Sequence, residues 1–277
     1  MHSMLARARR VLMLALALPA VPAAAQEAAL TPSVTFPAKG RTTVRQQFHS
    51  MRHTGNGVDV AQLRLNTSAT LGLDRDTSLA LRVPLVHRED LRSDTDRLDT
   101  FGVDEVTLTL KRRLWQVDHG GYGSTRLGAF VGAHLPAPSG DLGSDSVDPL
   151  AGLVFMTIVE RHGFNAALTY TLTTAGDSEP ILPGASTDDL LQLELAYLYR
   201  LSPETYTAET EGAWYALAEV DVNYETNGDR DLVFTPGVLY EAKRWALEVA
   251  VHLPAIESLD ERPALDYGLV IGWRYLF

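Results

Sequence analysis

Apolar and polar residues alternate along most of the chain, and the alternation has a period of two residues. The last stretch, LDYGLVIGWRYLF at 265–277, shows this pattern most fully. Every second residue from Leu265 to Phe277 is apolar or aromatic, whereas the residues between them include charges and glycines. A period of two is that of a β-strand whose two faces meet different surroundings. The chain therefore ends on a predicted strand with one long apolar face.

The same alternation, interrupted by turn residues, predicts about twelve strands and almost no helix. An even number of strands is what a closed barrel in a bacterial outer membrane needs. We expect an all-β fold, a transmembrane antiparallel up-and-down barrel of about twelve strands over 41–277, after a periplasmic segment at 26–40. In 149–160 apolar residues fall on both faces, so the pattern sets no register there. The predicted strands are 41–51, 60–73, 77–87, 103–116, 124–135, 149–160, 164–174, 189–201, 213–225, 231–241, 245–254 and 264–277.

The connections between the predicted strands favour a barrel over a soluble β-sandwich. If the C-terminus is periplasmic, the long connections 88–102, 136–148 and 175–188 are extracellular, and short ones such as Asp74–Asp76 are periplasmic. Long extracellular connections and short periplasmic ones are typical of outer-membrane barrels, although 202–212 is long for a periplasmic turn. A sandwich would not explain why the polar faces carry charges of both signs. A spanning sheet must close, because lipid offers no partner for unpaired backbone groups.

Aromatic residues collect near the ends of the predicted strands, where a barrel meets the boundary between lipid and water. The last residues also resemble the signal that outer-membrane assembly machinery reads: a glycine, two residues, an aromatic or apolar residue, any residue, and a terminal aromatic residue. Gly272, Tyr275 and Phe277 occupy these positions, which predicts the assembly machinery as a partner. The aromatic residues near strand ends are Trp115, Tyr197, Tyr199, Trp214, Tyr224, Trp245, Trp273 and Tyr275.

The first residues have the features of a secretory signal peptide. Arg7, Arg9 and Arg10 are followed by the apolar stretch Val11–Leu18 and by the small residues Ala23–Ala25, which predicts cleavage after position 25. The chain contains no cysteine, which excludes disulfides and thiolate chemistry. The net charge of −11 becomes −11 − 3 = −14 without the three signal arginines. So acidic a protein, with no basic cluster, is not expected to bind nucleic acid.

Charged residues of both signs occupy the face opposite the apolar one, and this face is expected to line the barrel interior. Two interpretations stay open. The charges could form a selective path for solutes, or they could pair with one another and merely fill the barrel. The candidate lumen-lining residues are Arg64, Arg82, Lys111, Arg113, Arg126, Glu194, Arg200, Glu219, Asp221, Glu248, His252 and Arg274.

The predicted extracellular loops are acidic. Carboxylate clusters can hold calcium or magnesium, so one alternative is a structural or surface-interaction barrel with cation-binding loops. A solvated surface, or one that meets lipopolysaccharide through bridging cations, is the simpler interpretation. The acidic loop residues are Glu89, Asp90, Asp94, Asp96 and Asp99, then Asp141, Asp145 and Asp148, then Asp177, Glu179, Asp188 and Asp189.

The sequence contains no HExxH, P-loop, GxSxG or CxxC motif. A lipid-modifying hydrolase would need a paired serine and histidine, and His49, Ser50 and His53 lie close together. His49 and Ser50 are neighbours on opposite strand faces, so they are not expected to pair; His49 and His53 share a face and could hold a metal. We predict a non-enzyme, with no catalytic, cofactor-binding or metal residues, and rank the hydrolase last.

Several segments together resemble the outer-membrane barrel family named for the MetA pathway of phenol degradation. The resemblance covers about two thirds of the mature chain, and it implies a transporter-like barrel that takes up hydrophobic or aromatic compounds. It supplies no binding residues, and the charged interior expected here departs from a phenol-like substrate. The segments are VDEVTLTLKRRLW at Val103–Trp115, LGAFVGAHLPAPSGD at Leu127–Asp141, VDPLAGLVF at Val147–Phe155, FTPGVLYEAKRWALEVAVHLPAIES at Phe234–Ser258, and the terminal DYGLVIGWRYLF.

The sequence therefore predicts an exported outer-membrane barrel with a transporter or channel function for small aromatic or other small solutes. It predicts no cofactor. The expected partners are outer-membrane lipid and lipopolysaccharide, the assembly machinery, and a small-molecule solute.

Overall fold

The computed structural model describes residues 27–90, 99–121, 123–136, 142, 146–175 and 181–277. The predicted signal peptide at 1–25 lies outside these residues. Within the described ranges, no helix is long and apolar enough to cross a membrane. The described residues form thirteen strands: β1 Thr42–Gly55, β2 Val58–Gly72, β3 Thr77–Asp90, β4 Asp99–Val103, β5 Val106–His119, β6 Gly123–Leu135, β7 Asp148–Val159, β8 His162–Thr171, β9 Leu190–Ser202, β10 Gly212–Glu225, β11 Arg230–Ala242, β12 Trp245–Ser258 and β13 Ala264–Leu276.

The strands form one antiparallel sheet that closes on itself. Consecutive strands pair with each other, and β1 pairs with β13, from Thr43 opposite Leu276 to Thr54 opposite Ala264. Both β4 and β5 pair with β3, so they are two parts of one strand, interrupted at 104–105. The described residues therefore make a closed barrel of twelve strands, which confirms the predicted fold class.

The two-residue period arises because the two faces of the sheet have different surroundings. Along β12, exposed Trp245, Leu247 and Val249 alternate with buried Ala246 and Glu248. The exposed set faces outward and is mainly apolar, although β1 also places Gln46, Ser50 and Arg52 on this face. The inward set is polar where it meets open lumen and apolar where it packs against other residues. The outer surface thus carries an apolar band around the barrel, as in barrels that face hydrocarbon.

Strand β7 shows why the sequence pattern failed to set a register at 149–160. Leu150, Val154 and Met156 point inward, while Leu153 and Phe155 are exposed on the outer face. Both faces are apolar because the inner face packs against the chain that precedes β1. Alternation vanishes wherever the interior of the barrel contains packed protein.

The connections differ in length between the two ends of the barrel. At the end that holds the C-terminus, called here the C-terminal end, they span 73–76, 120–122, 160–161, 203–211 and 243–244. At the opposite end, called the loop end, they span 56–57, 91–98, 136–147, 172–189, 226–229 and 259–263. The predicted long connections all lie at the loop end.

The turn between β1 and β2 is much shorter than the sequence pattern indicated. Strand β1 continues to Gly55, and Asn56 and Gly57 alone connect it to β2. Both turn residues have positive φ angles, 50° for Asn56 and 75° for Gly57. Asn-Gly is the preferred pair for a two-residue hairpin turn, because both positions require the left-handed conformation.

Aromatic side chains form outward-facing clusters, mainly near the C-terminal end. The rings of Trp214 and Tyr240 lie 4.9 Å apart, and those of Tyr240 and Trp245 lie 5.2 Å apart. Tyr275 and Phe277 are in edge contact at 4.7 Å. These residues come from neighbouring strands, so the ring clusters form part of a girdle around the barrel.

Candidate functional site in the barrel lumen

The chain before β1 lies inside the barrel. Residues 27–40, called here the lumenal segment, enter at the C-terminal end, where the Gly40 amide donates to the Gly72 carbonyl at 2.8 Å. The segment then reaches Glu219, which is near the middle of β10. The sequence predicted a periplasmic location for 26–40, and the structure instead places Glu27 onward within the lumen. This stretch fits the interior because it has no charge from Ala28 to Ala38.

Glu219 binds the tip of the lumenal segment. Its carboxylate accepts hydrogen bonds from the amides of Ala29 at 2.7 Å, Leu30 at 3.1 Å and Thr31 at 2.7 Å. The hydroxyl of Thr31 also donates to it, at 2.7 Å. Glu219 is fully buried, and a buried carboxylate needs such donors to replace water. This one side chain therefore fixes three consecutive backbone amides at the centre of the barrel.

A second polar network holds the segment to β1 and β12. Arg45 donates to the Ala28 carbonyl at 2.8 Å and to Glu248 at 2.7 Å. Gln47 donates to the Ala29 carbonyl at 2.6 Å and to Glu248 at 2.8 Å. The backbone carbonyls and amides of the segment thus both find partners on the barrel wall, as buried backbone groups must.

Apolar contacts fill the space between these polar anchors. Ala28 and Ala29 belong to a buried cluster that includes Leu198, Tyr215 and Leu239. Further along the segment, Val34 lies in a second cluster with Phe130, Val154, Met156 and Ile158. Both clusters are fully enclosed, so the segment is packed as the core of a soluble domain would be.

The long connection at 203–211 belongs to the same packed region. Tyr206 packs against the cluster around Ala28 and Ala29, and its hydroxyl is hydrogen-bonded to that of Tyr215. Arg200 stacks on the Tyr206 ring at 4.1 Å and donates to the Glu204 carbonyl at 3.2 Å. The connection is long for this end of a barrel because it folds inward beneath the lumenal segment.

Gly272, predicted as part of the assembly signal, also leaves room for a neighbouring side chain inside the barrel. Glu248 on β12 crosses β13 at this position to reach Arg45 on β1, and a side chain on residue 272 would overlap the Glu248 carboxylate. The absence of a Cβ atom leaves the path open.

Gly272→Ala is therefore expected to weaken the network that holds the segment, lowering stability by about 1–3 kcal/mol. Thermal unfolding in detergent measures this. Gly121→Ala is the matched control, because a methyl group there meets open space. Equal melting temperatures for the two variants would contradict the structural role. If Gly272→Ala lowers the folded yield but leaves the melting temperature unchanged, the only role of Gly272 is in the assembly signal.

All twelve candidate lumen-lining residues lie on the inner face of the barrel, in three settings. Five hold neighbouring protein: Glu219 and Arg126 contact the lumenal segment, Glu248 accepts from Arg45 and Gln47, which bind the segment, Arg113 binds Asp76 at the rim, and Arg200 binds the 203–211 connection. Lys111 and Arg274 face the cavity and also bind the segment, at Ser33 and Glu27. The remaining five, which line the cavity without contacting the segment, are Arg64, Arg82, Glu194, Asp221 and His252.

A cavity of about 1150 Å³ occupies the rest of the lumen. Its lining extends from Trp245 at the C-terminal end to Arg262 at the loop end, so it runs beside the lumenal segment and above it. Several lining residues are polar but lack a full set of partners. The Nδ1 atom of buried His53, for example, has no hydrogen-bond partner among the described residues.

A buried ion-pair cluster closes part of the loop end. Arg262, in the 259–263 connection, donates to Glu225 and to Asp231, each at 2.8 Å. Burial lowers the pKa of Arg262, but Asp231 and Glu225 outweigh this and raise the pKa above its ordinary value. The guanidinium therefore stays charged and joins the loop to β10 and β11.

The sequence missed the lumenal segment and its binders Arg45 and Gln47. The one signal for this segment in the sequence was the uncharged stretch before β1, which is unusual in a chain that is otherwise polar.

The hydrolase hypothesis required a paired serine and histidine. Ser50 lies on the outer face while His49 and His53 point inward, so Ser50 pairs with neither histidine. His49 stacks instead on His252, with ring centres 5.8 Å apart. No three His, Cys, Asp or Glu side chains among the described residues are placed to hold a metal ion.

Some of the acidic loop residues lie within the described part of the chain. Asp94, Asp96, Asp141, Asp145, Asp177 and Glu179 lie outside the described residues. Asp148 accepts from the Ser146 hydroxyl at 2.8 Å and from the Thr174 amide at 2.7 Å. Asp189 accepts from the Thr173 amide at 3.0 Å. Both of these carboxylates therefore secure the ends of strands.

Comparison with solved structures identifies the fold but no family. The crystal structure of the COG4313 outer membrane channel from Pseudomonas putida F1 is similar over 91% of this chain and 99% of its own, with a TM-score of 0.55 and 14% identity. The translocator domain of the autotransporter NalP from Neisseria meningitidis matches over 87% of this chain and 90% of its own, with a TM-score of 0.43 and 12% identity. No family profile and no curated protein matches the sequence.

Proposed function

We propose that this protein is an outer-membrane channel for small polar or ionic solutes. The observation that carries the proposal is a continuous cavity of about 1150 Å³, lined by charges, within a closed barrel whose outer surface is apolar. A barrel of this kind encloses a polar path for solutes, and its outer surface can contact hydrocarbon. The similarity to the Pseudomonas putida F1 channel supports the proposal at the level of the fold.

The outer surface supports a location in a bilayer. Leu110, Leu153, Leu195, Val249 and Ile271 come from five strands around the barrel, and each is more than a third exposed. An apolar band of this extent would drive aggregation in water. The predicted signal peptide supplies export, and the C-terminal end of the barrel is then periplasmic. Contact with lipid and lipopolysaccharide, and delivery by the assembly machinery through Gly272, Tyr275 and Phe277, belong to the same proposal.

The lumenal segment is the main restriction in this channel. It occupies part of the periplasmic half of the lumen, so solutes pass through the space beside it or when it moves. Its contacts with the barrel are non-covalent, and the chain has no cysteine to fix it. Movement of the segment would therefore change the width of the path without unfolding any strand.

The chemistry of the cavity favours polar solutes over phenol-like ones. The resemblance to the phenol-degradation barrels implies aromatic substrates, but the cavity is lined by Arg64, Arg82, Glu194 and Asp221. An aromatic hydrocarbon would gain little from these groups and would remove their hydration. We therefore assign small polar or ionic solutes as the substrate class of this channel.

Reconstitution of the mature full-length protein tests the proposal. We expect discrete current steps in potassium chloride across planar bilayers, and swelling of liposomes in a small sugar such as arabinose. Heat-denatured protein serves as the control. Folded protein that gives neither currents nor swelling would contradict a channel function and would favour a structural or surface-interaction barrel.

A further inference from the structure

Two pairs of like charges line opposite walls of the open part of the lumen, among other lining charges of both signs, which include Asp104 and Glu105. Arg64 on β2 and Arg82 on β3 lie on one wall, and Glu194 on β9 and Asp221 on β10 lie on the other. In the twelve-strand ring, β2 is six strands from β9, and β3 is six strands from β10. The two pairs therefore lie half-way around the barrel from each other.

Three of these four groups, Arg82, Glu194 and Asp221, have no ion-pair partner among the described residues, unlike other lumenal charges. Arg82 is exposed to the cavity, its one hydrogen bond goes to the Thr107 hydroxyl at 3.1 Å, and no carboxylate among the described residues is within ion-pair distance. Arg64, in contrast, has a carboxylate partner in Asp104 at 2.5 Å. Arg82 is thus the positive group of this wall without an ion-pair partner, although the carboxylates of Asp104 and Glu105 also lie near it.

The opposite wall has an unpaired negative counterpart. Glu194 and Asp221 are direct cross-strand neighbours, and within the described ranges neither carboxylate has a hydrogen-bond donor or a cation at ion-pair distance. Glu194 is more than nine-tenths buried, yet it lines the cavity. Two adjacent carboxylates without a cation repel each other, so they either share a proton, which leaves one negative charge on the pair, or attract a positive group.

Opposite charges elsewhere in this lumen do pair. Arg45 meets Glu248 at 2.7 Å, and Arg262 meets Glu225 at 2.8 Å. Arg82 and Glu194 act on each other electrostatically but do not touch, because the cavity lies between them. The result is an electric field directed across the path rather than along it. Protein walls of low dielectric strengthen such a field.

We propose that this region selects small zwitterions that carry an ammonium and a carboxylate group, the class to which α-amino acids belong. The inference rests on the proposed channel function. A zwitterion can turn its carboxylate to Arg82 and its ammonium to Glu194 and Asp221, and so gains from both walls. An anion or a cation gains from one wall and is repelled by the other. A neutral solute of the same size gains from neither.

Four solutes with the same number of non-hydrogen atoms test this selectivity: alanine as zwitterion, lactate as anion, alaninamide as cation and lactamide as neutral reference. Uptake into liposomes containing the full mature chain is measured for each at neutral pH. We expect alanine to enter faster than lactamide by about fivefold, and faster than either singly charged solute. Raising the salt concentration from about 0.1 to 1 M shortens the screening length from about 10 to 3 Å and should abolish the preference.

Variants on each wall give independent checks. Arg82→Gln and the double variant Glu194→Gln with Asp221→Asn should each reduce the alanine-to-lactamide ratio to about one, and Arg112→Gln, which removes a charge from the outer face, should leave it unchanged. Ion currents and lactamide uptake without an alanine preference in the wild type would overturn the zwitterion inference and leave the channel in place. Failure of every solute and ion to cross would overturn both.

Discussion

Removal of residues 27–36 is expected to raise the single-channel conductance on the order of tenfold. The lumenal segment narrows the half of the barrel nearest the C-terminus, where Ala28, Ala29 and Val34 are fully buried against the inner wall. The twelve strands close through backbone pairing and include no residue of the segment, so the barrel should remain folded without it. Planar-bilayer recordings of the shortened and full-length proteins measure the effect.

A cross-linked variant provides the control for this deletion. Val34 and Gly128 are adjacent, since a Cβ atom at residue 128 would lie 3.2 Å from Cγ1 of Val34. This separation suits a disulfide, and the chain contains no other cysteine to compete. Val34→Cys combined with Gly128→Cys should conduct poorly when oxidised and recover when reduced. Equal conductance in the deleted, oxidised and wild-type forms would show that the segment does not restrict the path.

The sequence was sufficient to predict the barrel because its outer face has a uniform environment. A strand such as β10 places Trp214, Val220 and Tyr224 outward, and hydrocarbon accepts no polar group at any of these positions. The alternation is then strict and easy to detect. The inner face has no such uniformity, which is why the pattern predicted the strand at β7 but set no register there, where Val154 and Met156 pack against the lumenal segment.

The lumenal charges could be placed on the inner face from the same alternation, but their roles could not. Glu219 and Asp221 are two residues apart on β10 and looked equivalent in sequence. In the structure, Glu219 binds three amides of the segment, whereas Asp221 faces the open cavity. The difference depends on where the chain before β1 lies, and no local pattern around either residue records it.

The opposition of the two charged walls is another property that local sequence does not contain. Arg82 and Glu194 are 112 positions apart by their residue numbers, and they face each other only because β1 pairs with β13 and closes the ring. Because the ring is closed, the place of a strand in the strand order determines its angle around the barrel axis. Once the strand count is known, charges five or six strands apart can be recognised as lying on opposite walls, so the walls become predictable only after the fold is fixed.

Glu219→Ala is expected to release the lumenal segment while leaving the barrel intact. The change removes the acceptor for three amides and for the Thr31 hydroxyl, all at the tip of the segment. Buried donors that lose a charged acceptor cost about 1–3 kcal/mol each, and the groups act as a unit, so we expect a total loss of about 3 kcal/mol. That loss corresponds to about a hundredfold increase in the released population.

Cysteine labelling measures this release. Ala29→Cys introduces the only thiol in the chain at a position that is 1% exposed, so a bulky maleimide should react slowly when the segment is bound. Adding Glu219→Ala should increase the labelling rate about a hundredfold. Asp221→Ala is the matched control, because it removes the same charge two residues away on the same face without touching the segment. Similar rates in the Glu219 and Asp221 variants would mean that the apolar clusters around Ala28 and Val34, rather than this carboxylate, determine whether the channel is open.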